Sequence, residues 1–71
     1  MNLEEMRNTY RTLRKSAHRG SGAELAYNKV LICLDNAHDE TEAAEYLSEE
    51  RENCTDPFRK RVYQKALSDL D

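Results

Sequence analysis

Residues 23–37 read AELAYNKVLICLDNA, the only long run in this chain that is apolar on more than one side. Ala23, Ala26, Tyr27, Val30, Cys33, Leu34 and Ala37 recur at spacings of three and four, so they form one stripe along a helix. Leu25 and Ile32 fall on a different side, with Leu31 at its edge. A helix apolar over most of its circumference is normally buried by several neighbours. The stretch is therefore read as the central helix, about residues 22–37, of an all-α fold: a compact bundle of three to four short helices.

Upstream, Leu3, Met6, Tyr10, Leu13 and Ala17 repeat by threes and fours and predict a first helix from Leu3 to Ala17 or His18. Asn2 is placed to cap it, with Glu5 completing a box-like arrangement. Arg19-Gly20-Ser21-Gly22 contains both glycines of the chain and predicts the turn into the second helix, which Ser21 and Glu24 cap. Downstream, Asp39 and Thr41 are the alternative caps of a third helix, roughly Glu40–Asn53. Its apolar face is thin: Ala43, Leu47 and Cys54, with Ala44 and Tyr46 at the flanks. It is expected to be the loosest element. Asp56-Pro57 is the clearest boundary, because proline suits the first position of a helix, where its missing N–H is not needed. A fourth helix then runs from Pro57 to about Ser68, with Phe58, Val62, Ala66 and Leu70 as its seam and Tyr63 and Leu67 widening it.

A chain of 71 residues is one small domain, near the lower limit of what a hydrophobic core alone sustains. Cys33 and Cys54 form no metal-type or redox-type spacing, and Cys33 sits in the most apolar stretch. Reduced thiols and a cytoplasmic setting are expected; a Cys33–Cys54 bridge in a secreted protein is the alternative. The start, MNLEEMRNTY, is acidic and amphipathic, unlike a signal peptide. The longest apolar run, Val30–Leu34, is far short of the ~20 residues of a membrane span, so no membrane partner is expected.

The net charge of −3 hides an uneven distribution. Residues 1–20 carry five basic and two acidic groups, residues 21–56 two basic and ten acidic, and residues 57–71 four basic and two acidic. Antiparallel helices of opposite charge could neutralise one another internally. Otherwise a charged surface faces a partner.

Little in the sequence points to chemistry at a site. His18, Cys33, His38 and Cys54 match no zinc signature, and His38, Glu42, Glu45 and Glu49 share one helical line that reads as a solvated face. There is no nucleophile elbow, no HExxH and no phosphate-cradling glycine loop. No enzyme, cofactor or metal is expected. The basic residues Arg7, Arg11, Arg14 and Lys15 of the first helix, with Arg59, Lys60 and Arg61 of the fourth, would make a nucleic-acid surface if those helices were neighbours. The acidic middle would have to lie on the far side.

Protein binding is the leading reading. The chain is too small for a site-bearing cavity, and the second helix is more apolar than three short helices can cover. Tyrosines fall one per helix, at Tyr10, Tyr27, Tyr46 and Tyr63, and tyrosine is enriched at interfaces. The expectation is a small regulatory protein that binds another protein stoichiometrically, as an inhibitor or adaptor. A phage or other mobile element is the expected source, with the protein acting against a host defence. The acidic face Glu42, Glu45, Glu49, Glu50 and Glu52 would meet a basic groove, standing in for nucleic-acid phosphates. A homodimer is the other way to cover the surplus apolar surface.

Overall fold

A computed structural model describes residues 1–71 and contains four helices: α1 (Leu3–Ser16), α2 (Gly22–Asn36), α3 (Glu40–Asn53) and α4 (Pro57–Leu70). There are no strands. Each helix starts where a short polar side chain takes up a first-turn N–H. Asn2 Oδ1 accepts from Glu5 N at 2.9 Å, and Glu5 Oε1 accepts from Asn2 N at 3.1 Å, closing a capping box. Ser21 Oγ accepts from Glu24 N at 3.1 Å, but the Glu24 carboxylate reaches past the cap to Gly20 N at 2.8 Å. Asp39, not Thr41, caps α3 by accepting from Glu42 N at 2.8 Å. Asp56 accepts from Phe58 N at 3.2 Å, with Pro57 at the head of α4.

α1 stops at Ser16, just short of the expected end, because Ala17 is already extended at ψ 149°. Gly20 has φ +80°, a left-handed conformation that a side chain would strain, so it is the turn residue that requires glycine. Gly22 belongs to α2 as its first residue.

α1 packs chiefly on α2, and α3 chiefly on α4, so the molecule is two helical hairpins face to face. α1 and α2 run antiparallel, since Arg7 lies opposite Asp35 and Arg14 opposite Asn28. α2 and α4 each touch all three other helices, so α2 shares the central position with α4. α2 still supplies the largest share of the core: Ala26, Val30, Leu31, Cys33 and Leu34. All 14 buried residues are hydrophobic, so the interior carries no charge to satisfy. Tyr10, Tyr63, Met6, Leu34, Leu47 and Val30 are its largest fully enclosed side chains.

The cover is incomplete in two places. Leu25 and Ile32 on α2 are 55% and 44% exposed, so the three helices that pack on α2, as expected of a central helix, leave that side open. They stand two turns apart on one side of α2, where Ile32 borders a cleft shared with Tyr46, Glu49 and Glu50 of α3. The α1 seam also loses cover at Leu13, 36% exposed, and the α4 seam at Phe58, 41% exposed. Those two helices meet only narrowly, so the ends of both seams stay open. Tyr10 and Tyr63 are core residues rather than interface residues. Tyr27 packs edge-to-face on Tyr10 with centroids 6.1 Å apart. Cys33 and Cys54 are both free thiols. No helix is long and apolar enough to cross a membrane.

Candidate protein-binding surface

The acidic surface is set by how α3 is seated. Ala43 and Leu47 are fully buried and fix the inward side. A helix advances about 100° per residue, so Glu45, Glu49 and Glu52 fall on the opposite side. All three are exposed. With Glu40, Thr41, Ala44 and Ser48 they line an open cleft that Leu70 and Asp71 also border.

The other two expected glutamates are engaged elsewhere. Glu42 accepts from His38 N at 2.8 Å and lies 2.9 Å from His38 Nδ1. That hydrogen bond, with the Glu42 charge behind it, holds His38 above the ordinary imidazole range. The same contact holds Glu42 below the usual carboxylate range. Glu50 turns toward α2, 3.9 Å from Lys29 Nζ. The remaining ion pairs are Arg7–Asp35 and Lys65–Asp69. Glu45, Glu49 and Glu52 therefore have no cationic partner within the molecule.

Their placement also works against α3 itself. The C-terminal end of a helix is partially negative, and a carboxylate there is unfavourable. Glu52 lies in the last turn and Glu49 just before it, where only Arg51 is basic.

The basic residues are used differently. Arg7 Nη2 donates to Leu34 O at 2.9 Å. Arg7 Nε is 3.3 Å from Asp35 Oδ1, close enough for charge attraction but off the axis of a hydrogen bond. Arg7 thereby covers the last turn of α2, which has no basic residue of its own. Arg14 Nη1 donates to Asn28 Oδ1 at 3.0 Å. Arg59 Nη2 donates to Tyr63 Oη at 3.2 Å, so the guanidinium sits above its ordinary value. Burial pushes the Tyr63 hydroxyl up while Arg59 opposes it.

Arg11, Lys15, Lys60 and Arg61 remain exposed. Arg61 shares a groove between α1 and α4 with Thr9 and Leu13. By helical phase, Arg11 lies on the far side of α1 from those two residues. The seven basic candidates are thus not gathered on one surface.

Groups with nucleophilic or ligating character stand apart. Burial, with Glu50 nearby, pushes the Cys33 thiol up to about 11. Cys54 Sγ donates to Asp56 O at 3.5 Å. Tyr10 Oη donates to Asp69 Oδ2 at 3.1 Å, and burial followed by the Asp69 charge raises its pKa. His, Cys, Asp and Glu side chains do not converge in groups of three.

The sequence reading missed the α1/α4 groove, because Leu13 and Phe58 continue their seams in perfect register and spacing alone assigns them to the core. The surface chemistry of α3, by contrast, follows from its helical phase once Ala43 and Leu47 are known to face inward. No family model matches this chain, and no curated protein or solved structure is detectably similar to it.

Proposed function

We propose that this chain is a small non-enzymatic regulatory protein that acts in the cytoplasm by binding another protein stoichiometrically, with Glu45, Glu49 and Glu52 of α3 as its contact face. One observation carries the reading: three exposed carboxylates lie together without internal cations, and the last of them, Glu52, sits at a helix end where charge of that sign lowers stability. Exposed carboxylates that the fold leaves without ion-pair partners are free to meet cations of a partner. The chemistry of that partner is a basic groove, because a row of carboxylates along one helix face presents negative charge as a phosphate backbone does. The two free thiols fit a reducing compartment. The basic residues support the nucleic-acid alternative less well, since Arg7, Arg14 and Arg59 already serve Leu34, Asn28 and Tyr63.

The test places a photo-crosslinking residue at Ser48, between the free glutamates, and captures the partner in the native cell. A cationic protein is expected to be captured, with the yield reduced at least about tenfold by E45K/E49K while circular dichroism is unchanged. Equal capture by the charge-reversed chain would remove α3 as the contact face.

A further inference from the structure

We propose that the groove between α1 and α4 is a second docking site, and that its occupant is an acidic amphipathic helix of a partner protein. Two seams that should bury their apolar residues run open at the same place: Leu13 and Phe58, both exposed, line the groove over a floor that includes Tyr27 and Val62. An open apolar groove between two helices takes the apolar face of a third helix.

The sign of the occupant's charge follows from the walls. The α1 wall is uncharged at Thr9 and Leu13. The α4 wall carries Arg61 and Lys65, and the basic ridge continues past Arg61 to Lys60 and Arg51. Lys65 Nζ donates to Asp69 at 2.9 Å and Tyr10 Oη donates to the same carboxylate at 3.1 Å, so that pair is neutral and Arg61 is the unpaired side-chain charge of the groove. A second copy of this chain is a poor occupant: its acidic helix, α3, shows no large apolar side chain beside Glu45, Glu49 and Glu52, and the exposed Leu25–Ile32 side of its α2 is flanked by Asn28, Lys29 and Asn36. The proposal does not depend on the α3 reading, because the groove and the free glutamates involve different residues.

The experiment titrates the full isotope-labelled chain with a synthetic amphipathic helix of about 14 residues, apolar along one face and glutamate elsewhere. Its lysine-for-glutamate counterpart is the control. The acidic peptide is expected to move the Leu13 methyl and Phe58 ring signals in a saturable way. Affinity should fall about tenfold in R61E and in F58S, both exposed positions whose folding is checked by circular dichroism. Three results overturn the proposal. One is no groove shift at millimolar peptide. Another is equal binding of the lysine peptide. The third is a wild-type dimer in sedimentation that F58S converts to monomer, which would give the groove to a second copy.

Discussion

Arg7 shows how one side chain joins two helices. It is counted with the basic stripe of α1, yet its guanidinium closes the end of α2, holding Leu34 O and lying against Asp35. Replacement by lysine would keep the charge but lose the fork that spans both groups. His38 and Glu42 form a similar junction at the start of α3. The folded pKa of His38 is raised, so its contribution to stability is complete below the ordinary imidazole value and disappears as pH rises through the raised one. Glu42 is lowered, so its contribution is present above the ordinary carboxylate value and disappears as pH falls through the lowered one. The pair therefore supports α3 best between those two limits. In E42Q, the His38 titration followed by NMR should fall to the ordinary value of about 6.5. A titration that stays elevated in E42Q would mean that Glu42 is not what holds the proton.

At the scale of the helix, the four elements depend on few side chains, and α3 on the fewest. Its fully buried apolar residues are Ala43 and Leu47. L47A is expected to cost about 2–5 kcal/mol in urea unfolding, and I32S, at an exposed position, no more than about 0.5 kcal/mol. Equal losses would show that Ile32 is covered in solution. The helix starts were legible in the sequence because capping is local: Asn2, Ser21, Asp39 and Asp56 each act on an N–H two or three residues away. The exposure of Leu13, Leu25, Ile32 and Phe58 was not. Periodicity says which side of a helix is apolar, whereas cover depends on how the hairpins meet, which no local spacing encodes.

Over the whole molecule, Arg7, Arg14 and Arg59 are drawn into the structure while Glu45, Glu49 and Glu52 are among the carboxylates left outside its ion pairs. The sequence carried the separation of charge along the chain but not its use. Glu42 and Glu50 looked equivalent to Glu45, Glu49 and Glu52 until His38 and Lys29 were placed beside them. Likewise Arg7, Arg14 and Arg59 looked like surface charge until their acceptors were known. If the three free carboxylates serve a partner and not the fold, removing their charge leaves the fold intact or strengthens it. Urea unfolding of the wild-type chain beside E45Q/E49Q/E52Q at low ionic strength measures this directly. The variant should match the wild type or exceed it by up to about 1 kcal/mol, chiefly through Glu52 at the end of α3. A variant less stable than the wild type by more than about 1 kcal/mol would contradict this, because those carboxylates would then be part of what holds α3 in place.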